Sequence, residues 1–274
     1  MMDFIGRVKP RCGGEETQRK NKPPRVLGLD IIRGLALVNM ILYHLFYDMV
    51  YFFGLPLGFF SIQQCFVWQQ AICMTFILVS GISFKLGKNP WKGALKLFIC
   101  AAIISLVTFV ILPDMPVWFG ILHLLALALL LTALMAPLLA KIPAGPGFAL
   151  ALLLFIIFRH LPAGYLSFFG LWEYALPPSL YSQPYLFFIG LPSGGFSSAD
   201  YFPLLPWYFL YLTGYFAAGW VFRLSGLWGE KYAVREHIIY QCADKSLGFL
   251  GRHSLVIYML HQPLTMGLLF LLFS

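Results

Sequence analysis

The chain has 274 residues, 60% of them hydrophobic and only 11% Asp, Glu, Lys or Arg, against about 25% charged in an ordinary soluble domain. Its apolar runs are continuous and reach the roughly 20 residues that a helix needs to cross a bilayer, which predicts an all-α polytopic transmembrane bundle. A soluble domain is excluded, as is a transmembrane β-barrel with its alternating strands of about ten residues. The net charge of +8 sits in one tail and in short connections, so it marks membrane orientation and not nucleic-acid binding.

Residues 1–25 form a basic tail expected to be disordered. Arg7, Lys9, Arg11, Arg19, Lys20, Lys22 and Arg25 outnumber Asp3, Glu15 and Glu16 there. Such a tail beside a first membrane helix reads as a cytoplasmic anchor on anionic membrane lipid. No cleavage site follows a short apolar core, so the first helix is expected to act as an uncleaved signal anchor. Residues 26–274 read as one membrane domain with helices at approximately 29–53, 65–84, 94–112, 119–140, 147–160, 201–223 and 253–273. The fifth is short for a span and is expected either to extend past Arg159 or to dip in without crossing.

Lys85, Lys88, Lys92, Lys96 and Lys141 place their connections on the cytoplasmic side with the tail, as do Arg223, Lys231, Arg235, Lys245 and Arg252 in the 224–252 connection. The alternating connections carry only Asp114, Glu173 and Asp200, and one of them, 161–200, is rich in Pro, Gly and aromatics, as suits an outer cap over an opening. Five cysteines without C-x-x-C spacing indicate neither a disulfide framework nor a metal cluster.

The first helix, RVLGLDIIRGLALVNMILYHLFYDMVYFFG, is the informative one. Charged groups within a span are costly and are functional candidates by default. Asp30, Arg33, His44 and Asp48 fall within about 40° of His44 around the helix axis and cover about 27 Å of its length. Asp30 and Arg33 lie near the cytoplasmic entrance, where a guanidinium grips phosphates bidentately. His44 lies about 16 Å further along, past mid-depth. Asp48, one turn on, is placed to orient the imidazole. The bland reading is an Asp30–Arg33 pair that seats the helix at the interface, with His44 and Asp48 hydrogen-bonded to neighbours; four polar groups on one face favour function.

Weaker candidates follow. His123, near the outer end of the fourth helix, is in reach of His44 if the two faces meet. Asp200 opens the sixth helix, where it serves as an N-cap or binds a substrate amine. His261 lies mid-helix beside Pro263, and Gln64 enters the second helix from outside, where a sugar would approach. No H-E-x-x-H, G-x-S-x-G or Walker loop is present.

The segments LDIIRGLALVNMILYHLFYD, FILVSGISFKLG, FGILHLLALALLL, SADYFPLLPW and GRHSLVIYMLHQP, in this order, resemble bacterial members of the heparan-α-glucosaminide N-acetyltransferase catalytic-domain family. The spacing of Arg33 and His44 and the GRHSLVIYMLH segment are also similar to the acyltransferase-3 family. The resemblance implies an integral protein of the bacterial inner membrane that moves an acetyl group from cytoplasmic acetyl-CoA to an extracytoplasmic sugar amine or hydroxyl, without a metal. Carried over by position, Arg33 belongs to the donor path, and Asp30, which lies beside it at the cytoplasmic entrance, is assigned to the same donor site. His44 is the base or acyl carrier, supported by Asp48 and by His123 as an oxyanion donor, with Asp200, His261 and Gln64 toward the acceptor. Seven spans are fewer than in the larger relatives, and a homodimer is one way to cover an exposed polar stripe. The alternative from another class is a transporter or flippase that uses the stripe as an ion or substrate path.

Overall fold

The computed structural model describes residues 26–58, 60, 62–224 and 244–273. The basic tail and residues 225–243 of the 224–252 connection lie outside the described residues. Six long helices, α1 (Leu27–Tyr51), α2 (Ile62–Ser83), α3 (Pro90–Ile111), α4 (Ile121–Leu139), α5 (Ala144–Phe158) and α6 (Leu204–Leu224), are followed by a short α7 (Phe249–Arg252) and by α8 (Ser254–Phe273). These boundaries lie within four residues of those read from the apolar runs. The protein is therefore an all-α polytopic bundle.

Local chemistry accounts for several ends. The Asn89 side chain accepts the Lys92 amide hydrogen and Pro90 opens α3, the pairing of cap and first-turn residue that starts helices best. The fifth span gains its length beyond α5: a 3-10 turn, Leu161–Ala163, continues it to a 20-residue apolar segment ending at Ala163. The 161–200 connection is partly ordered into an antiparallel hairpin, β1 (Tyr165–Phe168) and β2 (Trp172–Ala175), with Tyr165 opposite Ala175 and Phe168 opposite Trp172.

Among the described residues, six helices are long and apolar enough to cross a membrane, and α6 is not one of them. The reason is its position. Helix α6 packs against α2, α4 and α5, and carries Trp207, Tyr208, Tyr211, Thr213 and Tyr215 into the main core instead of presenting leucines to lipid. Helix α3 is its opposite, packing chiefly on α4 and exposing Leu95, Ile99, Leu106 and Val110 along its length.

Close backbone approach holds the centre together. A Cβ on Gly81 of α2 would fall 2.0 Å from the Tyr211 carbonyl oxygen, and one on Gly214 of α6 would fall 2.2 Å from that of Leu78. Reciprocal glycines of this kind let two helices meet backbone to backbone, where dispersion replaces the hydrophobic drive that lipid removes. A side chain at either position forces the helices apart.

The second such contact lies at the end of the 224–252 connection. This end, Asp244–Arg252, is a π-turn leading into α7, and it packs along α1. Gly34 admits the Leu247 carbonyl, and Gly251 admits that of Asp30, at positions where a Cβ would stand 2.0 and 1.9 Å away. Helix α8 then returns along α1, so α1 is enclosed by α2, α7 and α8.

Candidate functional site

The four polar residues of α1 resolve into two centres. At the end that carries the tail, Arg33 donates through Nη1 to Asp30 Oδ1 at 3.0 Å and through Nη2 to the Ser83 hydroxyl of α2. Ser83 in turn donates to the Val79 carbonyl. The interfacial Asp30–Arg33 pair is thus formed, and it leaves guanidinium N–H groups unspent. Arg33 lines a cleft of about 330 Å³ with Val26, Asp30, Ser83, Gly87 and Arg252 among its walls. Two guanidiniums and the Ser254 hydroxyl in one cleft are donors suited to a phosphorylated ligand, while Ser83 spends its own hydrogen on the Val79 carbonyl. Asp30, acidic itself, suits the orientation of Arg33 better than contact with such a ligand.

The second centre lies where α1 meets α8. The rings of His44 and His261 are 4.8 Å apart between centroids. Asp48, fully buried, accepts hydrogen bonds from Gln262 Nε2 with both carboxyl oxygens, each at 3.1 Å. The Thr265 hydroxyl beside it donates to the Gln262 carbonyl at 3.1 Å. His261 is held by its Nδ1, which donates to the Tyr258 carbonyl. That bond puts the ring hydrogen on Nδ1 and leaves Nε2 as a bare acceptor. His261 Nε2 and Gln262 Oε1 are buried acceptors with no partner among the described residues.

Three expectations for this centre need correction. Asp48 does not bind His44: the one-turn spacing puts it on the same face, but Gln262 of α8 claims both of its oxygens. His123 does not meet His44 either. Its Nδ1 accepts the Gly120 amide hydrogen at 3.3 Å, its Nε2 lies 3.5 Å from Ser105 Oγ of α3, and its ring stacks on Phe119. Nor is the stripe exposed, since Asp30 is 9% exposed and Asp48 0%, so α2, α7 and α8 cover it within one chain and no dimer is needed for that purpose.

Asp200 is a cap, but not for the helix that follows it. Its Oδ2 accepts the Ile121 amide hydrogen at 2.9 Å, at the first turn of α4. Gly120 makes room for it, since a Cβ there would lie 2.3 Å from that oxygen. The Ala199 and Phe202 amides bond to the Pro116 and Phe119 carbonyls and pin the two connections together. Burial pushes the Asp200 carboxyl up to about 6, with the Ile121 amide pulling the other way. Gln64 is exposed on the first turn of α2.

Sequence reasoning missed Ser83, Arg252 and above all Gln262. The signal for Gln262 was present: an amide in an apolar span faces the bundle interior and seeks a partner. Among the described residues no group of three His, Cys, Asp or Glu is arranged to hold a metal ion. Compared with known families, residues 25–263 match the family described as heparan-alpha-glucosaminide N-acetyltransferase, catalytic. Neither a curated protein nor a solved structure matches the chain.

Proposed function

Because the chain belongs to the heparan-alpha-glucosaminide N-acetyltransferase catalytic family, and so to the membrane acetyltransferases, we propose that it transfers an acetyl group from cytoplasmic acetyl-CoA to a sugar amine or hydroxyl on the far side of the membrane. The observation that carries this reading is the pair of centres on one helix. The cleft with Arg33 and Arg252 opens at one end, and the His44–His261 pair lies about 16 Å along α1. Phosphates of the donor sit at the guanidiniums, and the pantetheine arm runs along α1 to bring the thioester to His44. The Lys/Arg-rich connections put the Arg33 end in the cytoplasm.

In this arrangement His44 is the base or the acyl carrier, and Asp30 and Ser83 aim Arg33 at the donor. Asp48 acts through Gln262, which it fixes at the α1–α8 contact, and not by orienting His44. Asp200 stands on the acceptor side with the 161–200 cap, where Gln64 also opens to solvent; one oxygen of Asp200 holds α4 in place. His123 belongs to the support of this outer end.

The test is affinity for the donor. Arg33→Ala should weaken acetyl-CoA binding by about 10- to 100-fold, the loss of one or two charge-assisted hydrogen bonds, with little change in turnover at saturation. Arg33→Lys should recover only part of the loss, because an ammonium lacks the two-pronged grip. Titration of purified protein with labelled acetyl-CoA reads both. Wild-type affinity in Arg33→Ala would remove the donor cleft from the reading.

A further inference from the structure

Two neighbouring residues of α8 carry the buried polar atoms that lack partners: His261 Nε2 and Gln262 Oε1. Both are acceptors. A buried unsatisfied acceptor costs free energy, and two on consecutive residues of one helix call for a ligand that brings donors. The thioester group offers none at the reacting carbon. A primary amine or a hydroxyl does.

We infer that His261 Nε2 and Gln262 Oε1 receive the reactive N–H or O–H group of the acceptor, and that His261 is the base that removes its proton. The inference rests on the acyltransferase reading and takes its acyl-carrier form. In the first step an unprotonated nitrogen of His44 attacks the thioester carbon, the carbon–sulfur bond breaks and a carbon–nitrogen bond forms, giving acetyl-His44 and the CoA thiolate. The other ring nitrogen of His44 gives up its proton, so the thiolate leaves as thiol. In the second step the acceptor N or O attacks the acetyl carbon, the bond to His44 breaks, and the acceptor proton passes to His261 Nε2. The proton then returns to His44, and both rings are neutral again.

The structure suits this division of labour. The Tyr258 carbonyl fixes the His261 tautomer so that the lone pair, and not the N–H, faces away from the backbone. His44 makes no hydrogen bond to the described residues, so its ring is unencumbered for attack. The other groups around the pair are the Asp48 carboxyl and the Gln262 amide, which bind each other, the Tyr258 phenol, and Tyr43 and Tyr47 of α1. None of these offers a free base to the acceptor.

Pre-steady-state measurement on the full-length protein in nanodiscs separates the two steps. Acetyl-labelled CoA is mixed with wild type, His261→Ala and His261→Gln, and CoA release, acetyl-enzyme and its discharge to water or hydroxylamine are followed. Hydroxylamine attacks acyl groups without a base. Both variants should form acetyl-enzyme within about threefold of the wild-type rate, and should lose discharge to water by about 10²-fold while keeping discharge to hydroxylamine. Added imidazole should restore part of the water reaction in His261→Ala. Equal loss of both steps, or wild-type discharge to water, overturns the inference. CoA release without acetyl-enzyme in wild type overturns it while leaving the acyltransferase reading intact. No CoA release in wild type removes that reading as well.

Discussion

His44→Ala should retain acetyl-CoA binding and lose acetyl transfer by about 10³-fold or more, the size of effect expected when the only nucleophile or base that meets the donor is removed. The variant removes a ring packed against His261 and Tyr43 but no hydrogen bond among the described residues. Its fold should therefore survive. Equilibrium binding of labelled acetyl-CoA and release of free CoA, measured on the same preparation, separate affinity from chemistry. Full turnover by the variant would exclude His44 from the reaction.

The second large effect is on stability. Gln262→Leu should destabilise the protein by about 1.5–3 kcal/mol, the cost of stripping the hydrogen bonds from a buried acidic group. Asp48 has no exposure to water through which to recover them. The double variant Asp48→Leu/Gln262→Leu should regain most of that loss, because two apolar side chains of similar size leave nothing unsatisfied. It should not regain transfer, since Gln262 Oε1 has gone. Thermal unfolding in nanodiscs reads the first half, and steady-state CoA release beyond the first turnover reads the second. A double variant less stable than Gln262→Leu would show that the pair contributes more than mutual satisfaction.

The helices were legible because each lipid-facing segment announces itself by unbroken apolarity, and the predicted limits of α1 and α8 fall within two residues of those observed. Helix α6 was legible as a helix but not as the centre. Its Tyr, Trp, Thr and Gly residues lower its hydropathy because they contact other helices, so the least lipid-like segment is the innermost. The polar face of α1 was readable from 3.6-residue geometry alone. Its partners were not. Periodicity says which residues share a face, and says nothing of which helix will meet it. Asp48 therefore pairs with a residue 214 positions away instead of with its neighbour His44, and Asp200 caps a helix that begins 79 positions earlier.

His261 shows the opposite case. It stands beside Pro263, and its bond to the Tyr258 carbonyl ties it to the local backbone. The ring contact with His44 arises only because α8 returns along α1. A single helix cannot reveal that two histidines far apart in sequence form one centre.

A transporter with the same polar stripe would move its substrate intact, whereas an acyltransferase separates acetyl from CoA at the membrane. The decisive measurement therefore uses vesicles that contain the protein with its Arg33 end outward, supplied externally with CoA carrying one label on the acetyl group and another on the adenine. The account predicts that the acetyl label leaves the thioester and appears in the lumen, that the adenine label stays outside as free CoA, and that both effects vanish in His44→Ala. Entry of the two labels together, or intact acetyl-CoA outside after saturating incubation, would contradict it.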